Sequence, residues 1–432
     1  MAKQSMKKSA PSTFVLEKEF DKHMIRNGRV FLKDAKKFAE FPELLGMQQK
    51  GFQDFVDYYL TKLFEEINPI HDIGGDKLVL LIDDIKVGEP IEDIDTCKKK
   101  EMTYGGIISG RIKLSDNANA GKVLFNKRAN IGILPLMTSR GSYIINGVER
   151  VVISQLVRSY GIFFSFDKKE FTYSFKLIPE KGPWLQVIIE KSGNIVARVN
   201  KSRKFTIVSL LRVFGYETDE SIRELFKDCF DPEENDFDYI EFALKKDTTH
   251  DAESAALHIY GKIRPGEIID ADSAIDYIKS QFLTQERIFV GKVARRKINA
   301  KLGLNKSMND ESANIYDADD LVASLRYLMN IANEKRGYYA DDIDHLSNRR
   351  IRSMGEILYS HLSPVMRKFT KSIKGKLSIL NTEEQIKLTD LVNFKIIDNS
   401  IKSFFATSQL SQFLDQINPL AEIEHKRRLT SL

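Results

Sequence analysis

The chain has 432 residues, of which 42% are hydrophobic, and this favours two to four domains with buried cores over a single one. It has no apolar segment of the roughly 20 residues that span a bilayer and no apolar signal-peptide core, so we expect a cytoplasmic protein without a membrane anchor. Its two cysteines, Cys97 and Cys229, fit neither a disulfide framework nor a zinc site.

The net charge of +5 conceals an uneven distribution of charged residues. Residues 217–254 carry fourteen Asp and Glu against four Lys and Arg, so the rest of the chain is strongly basic. Residues 191–216 and 364–376 carry six and five cations and no acidic residue. Such segments are typical of surfaces that attract nucleic-acid backbones, although solvated faces carry similar charge.

The N-terminal part of the chain begins with a polar segment. Residues 1–28 are lysine-rich and lack periodicity, which predicts a mobile basic arm. Apolar residues between Phe41 and Ile67 recur at three- and four-residue spacing and predict a helix that ends at Pro69.

The following third of the chain has the pattern of strands and turns. Strands are predicted at 78–85 and 105–114, with Gly88-Glu-Pro90 as a break between them. Asn146-Gly147 lies between two β-branched runs, and both residues accept the positive φ that a type I′ turn needs, which predicts a hairpin over 142–154. A second hairpin is predicted over 184–199.

The rest of the chain is predicted to be mainly helical. Short helices are predicted at 208–215, 221–230, 273–282 and 321–331. A long helix is predicted to follow Ser347-Asn348, with a kink or break at Pro364. A final helix is predicted to begin at Ser408 and to end before Pro419. The pattern indicates an α+β fold of discontinuous segments rather than alternating βαβ units.

Three constellations could carry chemistry. Asp341, Asp342 and Asp344 could hold Mg²⁺ in a metal-dependent nuclease, or they could complement a helix dipole or orient the arginines that follow. Trp184, the only tryptophan, could pack in the core or at its rim, or stack on an unpaired base. Residues 408–432 are dense in polar groups that suit RNA, phosphate or a polar ligand, or form a helix with a charged tail. No nucleophilic triad or phosphate-binding glycine loop occurs.

Nine blocks of the sequence, in order, resemble the beta subunit of multisubunit bacterial-type DNA-directed RNA polymerase. They are Phe41-Pro-Glu-Leu-Leu45, Gly88-Glu-Pro90, Leu134-Pro-Leu-Met-Thr138, Ile144–Arg150, Val152-Ile-Ser-Gln-Leu156, Arg264-Pro-Gly-Glu267, Lys301-Leu-Gly-Leu304, Asp341–Arg352 and Ser408–Leu432. The resemblance implies a discontinuous protrusion domain at 29–147 and 341–407, interrupted by a mixed α/β lobe domain at 148–340. The start of the fork region would cover 408–432.

The resemblance also implies two groups of site residues. Those expected to contact nucleic acid, chiefly the non-template DNA strand at the downstream edge of the bubble, are Arg158, Trp184, Ile343, Asp344, Arg349 and Arg352. Those expected to line the nascent RNA path and the rifamycin pocket are Gln409, Gln412, Phe413, Asp415, His425, Arg428 and Thr430. Thr430 replaces a usual serine and Ile417 a usual asparagine, which puts ordinary rifamycin sensitivity in question.

The resemblance implies a naturally split or truncated beta subunit that is not catalytic alone. Its expected partners are a C-terminal beta fragment, the beta-prime subunit, an alpha dimer, a sigma-type promoter factor, DNA and RNA. No metal or cofactor is expected on this chain, since Mg²⁺ would lie on beta-prime. The expected location is the cytoplasm, or the host cytoplasm for a phage protein. A free-standing regulator that binds DNA or polymerase, and the nuclease, are the alternatives.

Overall fold

A computed structural model describes residues 25–26, 29–30, 43–74, 77–116, 122–231, 236–283, 288–308, 314–379 and 388–431. These residues form two compact units. Unit 1 consists of the described residues of 1–153 and 353–428, and unit 2 of those of 154–352 and 429–432. The predicted basic arm lies outside the described residues, except that β1 (Ile25–Arg26) pairs antiparallel with β2 (Arg29–Val30).

The first part of unit 1 combines a helical segment with long antiparallel strands. Its elements are α1 (Gly46–Asp54), a π-helical segment (Phe55–Tyr59), α2 (Leu60–Glu65), β3 (Ile70–His71), β4 (Leu78–Pro90), α3 (Ile94–Lys99), β5 (Gly105–Asp116), β6 (Lys122–Pro135), β7 (Tyr143–Ile145) and β8 (Val148–Val152). The predicted first helix is confirmed from Gly46, and its predicted start at Phe41 lies outside the described residues.

A four-stranded antiparallel sheet in the order β3-β4-β5-β6 forms the centre of this part. The predicted break at Gly88-Glu-Pro90 is wrong, because β4 continues to Pro90 and accommodates these residues with a register shift after Val87. The predicted hairpin is confirmed: Asn146 and Gly147 have φ of 51° and 79°, and Ile145 pairs with Val148 across them.

Unit 2 follows with a second set of strands and most of the helices. Its elements are β9 (Ser154–Arg158), β10 (Gly161–Asp167), β11 (Thr172–Ile178), β12 (Leu185–Ile189), β13 (Ile195–Val199), β14 (Phe205–Thr206), α4 (Ile207–Val213), α5 (Asp219–Leu225), α6 (Tyr239–Lys246), α7 (Ala252–Ile263), α8 (Ala271–Leu283), α9 (Lys292–Leu302), α10 (Ala318–Ala332) and β15 (Arg349–Arg352). Three predicted helices are confirmed as α4, α8 and α10, whereas 221–230 is divided between α5 and a 3-10 turn, Lys227–Cys229.

Strands β10 to β14 form one antiparallel sheet in sequence order, and the predicted second hairpin is its β12–β13 pair. One face of this sheet is apolar and packs in the hydrophobic core of unit 2. A cross-strand row on that face consists of Phe164, Phe175, Val187 and Ala197, all at most 1% exposed. Because side chains alternate along a strand, the residues between these lie on the opposite face. We call that opposite side the outer face.

The chain then returns to unit 1 with α11 (Met354–Ile379), α12 (Leu388–Leu391), α13 (Lys395–Thr407), β16 (Ser411–Phe413) and α14 (Pro419–Arg427), and ends in unit 2 with β17 (Leu429–Thr430). The long helix predicted after Asn348 begins only at Met354, since residues 349–352 form β15. Helix α11 continues through Pro364, so the chain does not break there.

The final predicted helix is wrong in position. Ser408 ends α13, its hydroxyl accepts a bond from the Leu410 amide, and the next residues form a strand instead of a helix. Pro419 is the first residue of α14, and Asn418 caps that helix. Proline is favoured at the first position of a helix, because the N–H group that it lacks would have no intrahelical partner there.

The described structure is mixed α and β with several separate sheets, which is compatible with the α+β prediction. Within the described ranges, no helix combines the length and hydropathy required to cross a bilayer.

Candidate nucleic-acid interface

Strands β9 and β15 of unit 2 concentrate arginines. Arg158 lies directly opposite Arg349, and Arg352 lies opposite Gln155 and donates to its Oε1 at 3.3 Å. The guanidinium of Arg350 lies over the ring of Tyr160, 4.1 Å from its centroid. Like charges that face each other across two strands repel, so an anion between Arg158 and Arg349 would relieve a repulsion. This strand pair is therefore suited to a phosphate.

The outer face of the five-stranded sheet carries further positive charge. Lys176, Gln186 and Arg198 form a cross-strand row over β11, β12 and β13, and Arg198 Nε donates to Gln186 Oε1 at 2.9 Å. Burial lowers the pKa of Lys176, and the charges of Arg158 and Arg198 lower that pKa further. These three cations are close enough to raise the electrostatic potential at one another, which again favours an anionic ligand.

Trp184 lies directly before β12, two residues ahead of Gln186. Its backbone N–H donates to Asn200 Oδ1 at 2.8 Å, and its carbonyl accepts from the Asn200 amide at 2.8 Å. The side chain is 49% exposed, which excludes the core interpretation and leaves rim packing or stacking on a base.

The loop that carries Ile343 and Asp344 is anchored to the body of unit 2. Lys301 Nζ on α9 lies 2.8 Å from Asp341 Oδ1, and the Phe164 amide donates to Asp341 Oδ2 at 2.8 Å. Lys297 Nζ, also on α9, donates to the Ser347 carbonyl at 2.8 Å. Asp344 is exposed and Ile343 half-buried, so this loop presents both side chains at the surface of unit 2.

The acidic cluster has a structural role. Asp341 binds Lys301, and a 3-10 turn capped by His345, rather than an α-helix, follows the acids. Across the described ranges no group of three or more His, Cys, Asp or Glu is arranged to hold a metal ion.

The terminal segment of unit 1 is a short strand added to the β7–β8 hairpin. Phe413 lies opposite Arg150 across β16 and β8, and the Arg150 guanidinium is 4.2 Å from the Phe413 ring centroid. Arg150 Nη1 also donates to the Ser411 carbonyl at 3.2 Å. Phe413 is 61% exposed, so its ring is available for stacking against a ligand.

His425 joins the strand to α14. Its Nδ1 accepts from the Asp415 amide at 3.2 Å, and its Nε2 lies 3.2 Å from Gln412 Oε1, an arrangement that favours the neutral ring protonated at Nε2. Burial lowers the pKa of His425, Arg428 lowers it further and Asp415 opposes them. His425, Gln412 and Asp415 are therefore brought together as a hydrogen-bonded bracket.

The other predicted residues of this group are placed more loosely. The Gln409 carbonyl accepts from Gln412 Nε2 at 3.2 Å, while the side chains of Gln409 and Arg428 are exposed. Thr430 lies in unit 2, where it pairs with Gln155 of β9, and it is not part of the bracket in unit 1.

Glu149 is a site residue that the sequence interpretation missed. Its carboxylate accepts from Ser142 Oγ at 2.5 Å, Lys98 Nζ at 2.9 Å and Gln416 Nε2 at 2.9 Å, and its carbonyl accepts from the Leu414 amide. Burial would raise the pKa of Glu149, but the bonds from Ser142, Lys98 and Gln416 hold it below its usual value. Glu149 thus holds Leu414 and Gln416, the residues before and after Asp415 of the bracket.

Comparisons with known proteins agree with the resemblance in the sequence. Residues 159–352 match the family described as RNA polymerase Rpb2, domain 2. Proteins named DNA-directed RNA polymerase subunit beta are 34% identical over 94% of the chain in Syntrophomonas wolfei and 34% over 90% in Synechococcus elongatus. The relative in Thermosynechococcus vestitus is 35% identical over 90% of the chain. The matched regions cover 36%, 34% and 34% of these relatives, so the chain spans about a third of their length.

Proposed function

Since the chain corresponds to the N-terminal portion of a bacterial-type RNA polymerase beta subunit, we propose that it forms part of the DNA channel and the RNA path of a transcribing polymerase. The observation that carries this proposal is the clustering of the cations Arg158, Lys176 and Arg198 in unit 2, the unit in which Trp184 is half exposed. A single strand requires both cations and an exposed aromatic ring, because phosphates pair with the former and bases stack on the latter.

Unit 2 would hold the non-template strand at the downstream fork. In this role Arg349, Arg158 and Arg352 contact phosphates or base edges, and Trp184 stacks on an unpaired base. Ile343 and Asp344, presented by the loop that Lys301 and Lys297 anchor, complete the pocket for that base. Lys176 and Arg198 join this set because they lie in one cross-strand row and Lys176 is within electrostatic reach of Arg158.

Unit 1 would contribute one wall of the nascent RNA path. The exposed Phe413 ring and the side chains of Gln409 and Arg428 would face RNA, while His425 orients Gln412. Thr430, in unit 2, would also contact RNA. In the vocabulary of the family, we propose that unit 1 is the protrusion with the start of the fork and that unit 2 is the lobe.

The chain would act with partners and without a metal of its own. We propose that Mg²⁺ lies on a beta-prime subunit, and that an alpha dimer, a sigma-type factor and polypeptide equivalent to the rest of the relatives' length complete the enzyme. The chain would then position nucleic acid for nucleotidyl transfer.

Replacement of Arg349 and Trp184 tests the proposed DNA contacts. In a polymerase assembled with this chain, Arg349→Ala should shorten the lifetime of the open promoter complex and reduce the slope of log lifetime against log salt by about 1. Trp184→Ala should weaken binding to a preferred downstream base by about 1–3 kcal/mol, or roughly 5- to 150-fold.

Two surface residues of unit 2 provide matched controls. Arg223 forms an exposed pair with Glu241, and Phe171 is an aromatic residue that is 61% exposed. Arg223→Ala and Phe171→Ala should leave lifetime and base preference unchanged. If Arg349→Ala and Trp184→Ala behave like these controls, the proposed interface is wrong.

A further inference from the structure

A partly enclosed cavity of about 300 Å³ lies within unit 1. Its walls come from the segment after β4, the segment before β5, the end of β6, the turn between β7 and β8, and the end of α13. The apolar lining residues are Ile91, Met102, Ile133, Pro135, Ile145, Phe405 and Ala406, and the polar ones are Glu92, Thr103, Asn146 and Lys402.

The polar groups at this cavity already have partners in the protein. Thr103 Oγ1 lies 3.2 Å from Asn146 Oδ1 and accepts from the Asn146 amide at 3.1 Å. Lys402 Nζ is 2.7 Å from Asp398, and Glu92 is 3.8 Å from Lys100. An occupant therefore does not need to supply a charge to satisfy the lining, and a charged occupant would lose hydration without gaining a free counter-ion.

The apolar lining is incompletely buried by the protein itself. Ile91 is 49% exposed and Met102 is 37% exposed, and both line the cavity. Water in such a space finds few hydrogen-bond partners, so its displacement by an apolar group is favourable. A volume at the lower end of the roughly 300–1,000 Å³ range of small-molecule sites suits a compact molecule and leaves no room for a helix or strand of a partner.

The walls are held by backbone hydrogen bonds, so the cavity is formed before a ligand arrives. The Tyr104 amide donates to the Ile144 carbonyl at 3.0 Å, and the Gly147 amide donates to the Met102 carbonyl at 2.9 Å. A Cβ at Gly147 would lie 2.9 Å from Glu101 Cα, which shows how closely the turn packs on the neighbouring wall. Preformed sites lose little ordering entropy when they bind.

We propose that this cavity is a binding site for a compact, uncharged, apolar small molecule, of the size of a bicyclic aromatic ring system. The site also adjoins the terminal segment: the Phe405 carbonyl accepts from Ser411 Oγ at 2.6 Å, and β8, which follows the Asn146 turn, pairs with β16. A bound molecule would therefore change the surroundings of β16, the strand that carries Gln412 and Phe413. The binding claim itself does not rest on the proposed role in transcription.

The test uses 2-naphthol as the probe and methyl NMR of the intact 432-residue chain as the readout. The expected result is saturable shifts of the methyl groups of Ile91, Ile133 and Ile145, with those of Ile259 and Ile278 in the core of unit 2 unchanged. Ala406→Trp, which places an indole in the cavity, should weaken binding at least tenfold. Thr407→Trp, one residue later and exposed, should leave it within twofold.

A second variant distinguishes a loss of binding from misfolding of Ala406→Trp. Met102→Glu introduces a charge at the mouth without filling the cavity, and it should also weaken binding at least tenfold. Equal binding by the wild type, Ala406→Trp and Met102→Glu would overturn the proposal, as would shifts spread over both units. Shifts of the cavity methyl groups with protein concentration alone would overturn it in favour of a contact between two copies of the chain.

Discussion

Replacement of Arg295 by alanine should destabilise unit 2 strongly. Arg295 on α9 binds Asp320 at the start of α10 through two bonds, Nη1 to Oδ1 at 2.9 Å and Nη2 to Oδ2 at 3.0 Å. Its side chain is 1% exposed and that of Asp320 is fully buried. Helix α9 also carries Lys297 and Lys301, so this ion pair supports the loop that presents Ile343 and Asp344.

The magnitude follows from what remains around Asp320. Loss of one partner from a buried ion pair costs about 3–5 kcal/mol because the other charge stays buried without compensation. Lys306 Nζ lies 3.1 Å from Asp320 Oδ1 and would still neutralise part of that charge. We therefore expect a loss near the lower limit, about 3 kcal/mol. In a domain of this size that corresponds to a fall in Tm of about 6–12 °C.

Urea unfolding monitored by tryptophan fluorescence measures this loss, because the only tryptophan, Trp184, lies in unit 2. Arg223→Ala is the matched control, since Arg223 pairs with Glu241 at 2.9 Å but the two side chains are 48% and 35% exposed. Exposed pairs contribute about 0–1 kcal/mol. A loss below 1 kcal/mol for Arg295→Ala, or equal losses for both variants, would refute the reasoning.

Two further substitutions test unit 1. Glu149→Gln should lower its stability by about 1–3 kcal/mol at neutral pH, because a charged acceptor of a buried hydroxyl is lost. The pKa of Glu149 is lower in the folded than in the unfolded protein, so the loss of stability in Glu149→Gln should be constant above the unfolded pKa and should shrink as pH falls through the folded pKa. Denaturation measured from pH 3 to 7 would reveal this dependence. A loss of stability that does not change with pH would contradict the role of Glu149 as a charged acceptor. Gly147→Ala should cost about 1–3 kcal/mol, because φ is 79° and the added Cβ would meet Glu101 at 2.9 Å. Gly375→Ala on α11, where φ is not positive and the added Cβ would meet nothing within 4 Å, should not destabilise the protein in the same denaturation measurement.

Local sequence signals predicted much of the fold. The β7–β8 hairpin was predictable because Asn146 and Gly147 determine its turn within two residues. Pro419 shows the limit of such signals, because proline can follow a helix or begin one, and only the pairing of β16 with β8 decides between them. The predicted break at Gly88 failed for a related reason: a bulged strand tolerates glycine and proline when a neighbouring strand supports it.

The candidate site was predictable only in part. Family resemblance supplied Trp184 and Arg349, and their roles in binding DNA stay predictions. Lys176 and Arg198 were not predicted as site residues, because they meet only through the register of three strands. Glu149 was missed because its partner Gln416 lies 267 residues away in the chain. Contacts of this kind depend on tertiary structure that no local pattern contains.

Primer extension by the reconstituted complex tests the central claim most directly. The chain would be combined with a beta-prime subunit, an alpha dimer and polypeptide equivalent to the remainder of the beta relatives, and each mixture would be given an RNA primer on a DNA template with nucleoside triphosphates and Mg²⁺. The account predicts extension by the complete mixture and none when this chain is omitted or is present alone. Extension by the isolated chain, or undiminished extension without it, would contradict the account.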